Sequence, residues 1–119
     1  MAESKTYTGG CHCGEVRFEV TADLSSVVSC NCSICQKRGA LWSFVPAEHF
    51  GLRAGSDNLR DYQFGKKTLH HLFCPNCGVA AFTRGTKPGG GEMVAVNVRC
   101  IDDLDIGSLK LTFFDGRSL

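Results

Sequence analysis

Cys74-Pro75-Asn76-Cys77-Gly78 decides how this chain folds. Pro75 and Asn76 are turn formers, and the free N–H groups of such a turn can hydrogen-bond the first sulfur. Gly78 tolerates the positive φ that the backbone needs just after the second sulfur. Such a knuckle supplies two of the four ligands of a tetrahedral zinc site. A second pair is at hand in Cys11-His12-Cys13-Gly14. Read as strand residues two apart, Cys11 and Cys13 point the same way and His12 points the other. The four together predict a closed structural zinc site, with Zn–S near ~2.3 Å, that ties distant parts of the chain together. Buried free thiols would leave the knuckle motif unexplained.

Four cysteines remain: Cys30, Cys32, Cys35 and Cys100. In Cys30-Asn31-Cys32-Ser33-Ile34-Cys35, C-x-C sets two sulfurs side by side, and the turn after them can return the third. Three thiolates on Zn²⁺ leave one position exchangeable, which separates catalytic from structural zinc. Ionised, such a site carries about −1 charge, so a nearby cation is useful; Lys37 and Arg38 follow at once, although a solvated face explains them equally well. A zinc held by soft sulfur ligands suits a soft fourth ligand, above all an incoming thiol, which coordination deprotonates. The thiolate can then attack a small electrophile such as an aldehyde. Cys100 is the candidate fourth ligand from within the chain. If it binds, the second site is closed and structural; a buried, unliganded Cys100 is the remaining alternative.

Composition bounds the rest. With 119 residues the chain suits one domain, taken as 1–119, with a modest core. At 43% hydrophobic residues it is too apolar for a disordered chain, and no window approaches the ~18 apolar residues of a membrane span. A formal net charge of +1 argues against nucleic-acid partners, which draw on a basic patch. No apolar run follows Met1-Ala2-Glu3-Ser4-Lys5, so the expected location is cytoplasmic, where clustered cysteines mean metal ligands rather than disulfides.

The hydrophobic period is mostly two. Val16, Phe18 and Val20 alternate with charged residues as one half-buried strand. Further strands are expected at 27–30, 41–45, 59–64, 68–73, 79–83, 93–98 and 109–114. Gly65-Lys66 would join the third and fourth of these, and the glycine-rich stretch 86–91 the next two; the last could close the sheet. Helical signal is confined to single turns at 33–38, 46–50 and 102–104. The chain therefore reads as mainly β, with very little helix.

Gly10-Cys11-His12-Cys13-Gly14-Glu15-Val16-Arg17-Phe18, Cys30-Asn31-Cys32-Ser33-Ile34-Cys35-Gln36-Lys37 and Phe73-Cys74-Pro75-Asn76-Cys77-Gly78, in this order, resemble the glutathione-dependent formaldehyde-activating enzyme (GFA) family. Centromere protein V carries a related domain. The resemblance implies a β-tent fold of small antiparallel sheets and two Zn²⁺ per chain. It implies Cys11, Cys13, Cys74 and Cys77 as structural ligands, and Cys30, Cys32 and Cys35 as the catalytic set. The implied activity is that of a carbon–sulfur lyase on S-hydroxymethylglutathione, with glutathione or another small thiol and a small aldehyde as partners. The alternative function is a non-catalytic zinc module for protein or chromatin interaction.

Weaker candidates surround the second cluster. Gln36 and Lys37 are close enough in sequence to meet a fourth ligand. Trp42 and Phe44, two apart on a strand, share a face and could wall a pocket, although a core role is the commoner one for such a pair. Arg99 and Asn97 could contact a carboxylate or amide of a peptide-like ligand. His70 and His71 must face opposite ways, and neither has a trusted metal spacing. Asp102, Asp103 and Asp105 suit turns and caps better than general-base chemistry.

Overall fold

The fold is seen in a computed structural model that describes residues 4–65, 67, 69–86 and 90–118. Residues 66 and 87–89, which fall in two of the expected connections, and residue 68, the first of the strand expected at 68–73, lie outside the described residues. The chain is mainly β, with one short helix among the described residues. In chain order the strands are β1 (Lys5–Gly10), β2 (Arg17–Ala22), β3 (Val27–Cys30), β4 (Trp42–Pro46), β5 (Phe50–Ala54), β6 (Arg60–Tyr62), β7 (Leu69–Phe73), β8 (Phe82–Thr86), β9 (Glu92–Asn97) and β10 (Leu111–Phe114). Helix α1 (Ser33–Arg38) follows β3, and short 3₁₀ turns lie at Ala47–His49, Val98–Cys100, Ile106–Ser108 and Gly116–Ser118.

Two sheets form. The smaller is antiparallel in the order β1-β2-β5, and the larger runs β10-β3-β4-β9-β8-β7-β6. The expected pairing across the 86–91 connection is present, with Phe82 opposite Val96 and Thr83 opposite Ala95. β10 does end the larger sheet, but it runs parallel to β3, with Phe114 beside Cys30. A parallel partner needs a long crossover, so local periodicity cannot announce it.

The core explains the alternation in β2, where Phe18, Val20 and Ala22 are buried and the residues between them are not. Phe18 stacks on Phe50 at a centroid distance of 5.5 Å, and Phe50 meets Phe82 at 4.7 Å. This trio joins β2 and β5 of one sheet to β8 of the other; burying each ring fully is worth about 1.5–3 kcal/mol. Val94, Val96 and Val98 complete the contact from the β9 side.

β1 and β5 are strands that the sequence pattern does not announce, and in β1 glycine is the reason. A Cβ on Gly9 would lie 2.3 Å from the Cys100 carbonyl oxygen, and one on Gly10 2.0 Å from that of Val16. These glycines are sites of close backbone approach rather than strand breaks. The segment after β9 crosses β1 there, with the Asp102 N–H donating to the Thr8 carbonyl at 2.9 Å.

Candidate functional site

Cys11, Cys13, Cys74 and Cys77 converge as the spacing suggests, their sulfurs all within 4.8 Å of one another. Cys11 to Cys13 and Cys13 to Cys74 are each 3.6 Å apart, sulfur to sulfur. Four sulfurs tetrahedrally placed ~2.3 Å from a zinc stand roughly 3.8 Å apart, so the set fits such an ion. The backbone that delivers Cys11 and Cys13 is not a strand. β1 ends at Gly10, and the Gly14 N–H donates to the Cys11 carbonyl at 3.3 Å, closing a turn with Gly14 at φ 86°. The two sulfurs meet through this turn, not through pleat alternation. His12 is exposed in it and is outside the sulfur group. At the other knuckle the Gly78 N–H donates to the Cys74 carbonyl at 2.8 Å, with Gly78 at φ 80°.

Amide N–H groups aim at these sulfurs. The Val16 N–H reaches Cys11 at 3.2 Å. The Asn76 side chain, then the Glu15 N–H, hold the Cys13 thiol below its usual range. The N–H groups of Val79 and Cys13 draw Cys77 down to about 6. The Cys77 N–H favours the Cys74 thiolate too, but burial and the neighbouring sulfurs prevail and push it up to about 11. Crowded sulfurs of this kind share protons unless a cation neutralises them.

The second cluster gathers Cys30, Cys32 and Cys35, again within 4.8 Å. β3 delivers Cys30, Cys32 caps α1, and Cys35 lies on the helix. Gly39, in the left-handed region at φ 71°, ends α1 with its N–H on the Cys35 carbonyl. Burial opposes ionisation of Cys32, but the N–H and thiol of Cys35, the Cys30 thiol and the Ile34 N–H lower it overall. Burial pushes Cys35 up to about 12, aided by the nearby Cys32 and Cys30 and opposed by Trp42.

Trp42 belongs to this cluster rather than to the main core. Its indole N–H donates to the Cys35 sulfur at 3.2 Å. On β4, Val45 packs with Val94 and Val96 in the core, so Trp42 and Phe44 lie on the opposite face. There Trp42 is buried against the cysteine cluster, whereas Phe44 is 54% exposed. The expectation of a core pair therefore fails for Phe44, and Trp42 is buried for a different reason.

Cys100 does not join Cys30, Cys32 and Cys35. Burial pushes its thiol up to about 11, and the charges that add to this come from Cys11 and Cys77. It therefore stands beside the first cluster, held by the turn that packs on β1. Of the alternatives left open for Cys100, closure of the second site is the one this placement does not favour.

Two clefts flank the three sulfurs. One, of about 590 Å³, is bordered by Cys32, Gln36, Lys37, Phe64, Gly116 and Arg117. The other, of about 560 Å³, is bordered by Cys30, Cys35, Arg99, Leu111, Phe113 and Phe114, among others. Lys37, Gln36 and Arg99 thus reach the cluster's surroundings. Asn97 is buried and its amide is engaged internally: its Oδ1 accepts from the Arg99 N–H at 3.2 Å and its Nδ2 donates to the Ala80 carbonyl at 3.0 Å. His70 faces out to Asp61 at 2.6 Å, and His71 turns in, as alternation demands. Asp105 caps its 3₁₀ turn, and Asp102 pairs with Arg17 and Thr8. Sequence reasoning missed Gly116 and Arg117, which sit beside the cysteines only because β10 pairs in parallel with β3. Among the described residues no helix is long and apolar enough to cross a membrane.

These features define a class: a β-sheet protein with two cysteine clusters, of four sulfurs and of three, each able to hold a metal ion. A family model described as glutathione-dependent formaldehyde-activating enzyme matches residues 6–114, and the chain belongs to that family. A crystal structure of a Rhodobacter sphaeroides protein from structural genomics is similar, with a TM-score of 0.77 and 31% identity over 88% of this chain and 99% of that one.

Proposed function

We propose that this protein is a zinc-dependent carbon–sulfur lyase that forms or cleaves the adduct of a thiol with a small aldehyde. The family's description points to glutathione and formaldehyde, hence to S-hydroxymethylglutathione. The observation that carries the proposal is the three-sulfur cluster of Cys30, Cys32 and Cys35. Among the described residues no fourth cysteine, histidine or carboxylate joins it, and clefts open on both sides. The first cluster, with four sulfurs, is the structural counterpart.

Zn²⁺ bound by the three sulfurs would supply an open position at which an incoming thiol loses its proton near neutral pH. The chain's own residues prepare that position. The N–H groups of Ile34 and Cys35 favour the Cys32 thiolate, and Trp42 spreads charge from Cys35. In synthesis the thiol sulfur bonds to the carbonyl carbon, the C=O π pair moves to oxygen, and that oxygen takes a proton. The thiol proton balances it, so no oxidant or reductant is required. Cleavage reverses each step. Gln36, Lys37 and Arg99 border the clefts and are the candidates for holding the remainder of the thiol.

Zinc per chain in wild type and Cys30→Ser, with glutathione titrated against the cobalt-substituted protein, tests the proposal. Two metals per chain, one lost in the variant, and a cobalt spectrum that responds to glutathione are expected. Because thiol and formaldehyde also combine unaided, turnover is read as accelerated exchange between glutathione and its adduct by NMR. A second site indifferent to every thiol would overturn the proposal in favour of a non-catalytic zinc module.

A further inference from the structure

We infer that the C-terminal strap, residues 114–118, walls the three-cysteine site and that its Arg117, with Lys37, recognises a carboxylate on the incoming thiol. This rests on the reading of Cys30, Cys32 and Cys35 as the thiol-binding centre. The strap begins at the last residue of β10, and its residues 115–118 lie beyond the segment matched by the family model, which stops at residue 114.

Three hydrogen bonds tie the strap to Asn31, the residue between Cys30 and Cys32. The Asn31 N–H donates to the Phe114 carbonyl at 3.2 Å, and its Nδ2 donates to Asp115 Oδ1 at 3.0 Å. The Arg117 N–H donates back to Asn31 Oδ1 at 3.0 Å. Asp115 is itself held by the Ser118 hydroxyl at 2.6 Å. Gly116 then passes so close that a Cβ there would lie 2.6 Å from the Cys30 sulfur and 3.1 Å from Cys32 Cβ. The strap is therefore fitted to the cluster rather than merely near it.

The charge follows from this fit. The cleft beside Cys32 is bordered by Lys37 and Arg117, and among the described residues no carboxylate borders it. Gln36 Oε1 accepts from the Arg117 guanidinium, which fixes its direction and leaves its other N–H groups free of Gln36. Arg117 is exposed, so its cation is available to a ligand. A guanidinium held in place matches a carboxylate with paired N–H donors. The same two cations offset the charge gained when another thiolate joins three. Gln36, a candidate ligand contact from sequence, acts here as a positioning residue for Arg117.

The test uses the full chain loaded with cobalt, whose sulfur-to-metal absorption reports thiol binding without turnover. The probes are 3-mercaptopropionate, glutathione and the neutral 2-mercaptoethanol. Arg117→Gln keeps the backbone N–H that bonds Asn31. It should weaken both carboxylate thiols about three- to tenfold, as loss of one partly exposed charge-assisted bond implies, and leave 2-mercaptoethanol unchanged. Arg117→Lys should recover part of the loss, and Lys37→Gln should show a smaller effect of the same sign. An unchanged ratio of carboxylate to neutral thiol affinity in Arg117→Gln overturns the inference, including the case where all thiols weaken together. If no thiol perturbs the cobalt of the wild type, the thiol-centre proposal fails first and takes this inference with it.

Discussion

The indole N–H of Trp42 donates to the sulfur of Cys35 at 3.2 Å. That contact gives a buried tryptophan outside the main core a reason to be buried. It also places a fixed donor on one of three sulfurs that must share negative charge. Hydrogen bonds to metal-bound sulfur tune ligand basicity, and losing such partners typically costs ~10–100-fold in metal affinity or activity. Trp42→Phe keeps most of the apolar volume and removes the N–H. It should weaken metal at the second cluster by about tenfold and shift its cobalt–sulfur absorption, leaving the first cluster's spectrum in place. Competition with a chromogenic chelator measures the affinity, and identical affinities would show that the contact is incidental.

Gly116 makes a sharper test of the strap, because its constraint is steric. Its φ lies outside the left-handed region, yet an added methyl would sit 2.6 Å from the Cys30 sulfur. Gly116→Ala should force the strap or Cys30 to shift and weaken metal at the second cluster by roughly tenfold or more. Gly78→Ala is the contrast, since nothing lies within 4 Å of a Cβ there and the cost is the positive φ of 80°. That variant should disturb the first cluster instead. Separate cobalt titrations of the two variants distinguish these outcomes.

Much of this was legible in the sequence where the determinants are local. The knuckle at Cys74–Gly78, the alternation through Phe18 and Val20 and the helical turn after Cys32 all depend on residues within a few positions of each other. What escaped depends on distant partners. Gly9 and Gly10 look like strand breakers until the Cys100 and Val16 carbonyls are seen against them. Phe44 reads as core until the opposite face of β4 proves to carry Val45 inward. Gly116 and Arg117 lie about 80 residues from the cysteines they adjoin, brought there by a parallel pairing that no short-range pattern encodes.

The two clusters should respond oppositely to loss of one sulfur. Cys11 and Cys74 are buried, and the four-sulfur set joins the turn after β1 to the loop after β7. Structural zinc sites supply about 10–16 kcal/mol of apparent binding free energy in small zinc peptides. That is comparable with the ~5–15 kcal/mol by which whole domains are stable. Cys74→Ser should therefore abolish the cooperative thermal transition followed by circular dichroism. Cys30→Ser should retain it while losing one metal. A folded Cys74→Ser protein would remove the structural role from the first cluster.

His71 supplies a pH dependence that belongs to the fold rather than to the clusters. It is buried and stacks on Phe64 at 5.2 Å, near Tyr62 at 6.5 Å. Burial lowers its pKa from 6.5; the Arg38 cation adds to this, as does charge on the neighbouring His70, and Asp61 opposes it. The unfolded chain therefore binds this proton more readily than the folded one. The associated stability is complete above the unfolded value near 6.5 and is lost as pH falls through the depressed folded value. Acid also strips metal from thiolates, so the wild type alone cannot isolate the effect. His71→Gln removes only the imidazole's share. Denaturant unfolding between pH 7.5 and 5 should give a shallower decline in the variant, with the two curves converging toward low pH. Parallel curves would mean that His71 carries no proton-linked stability.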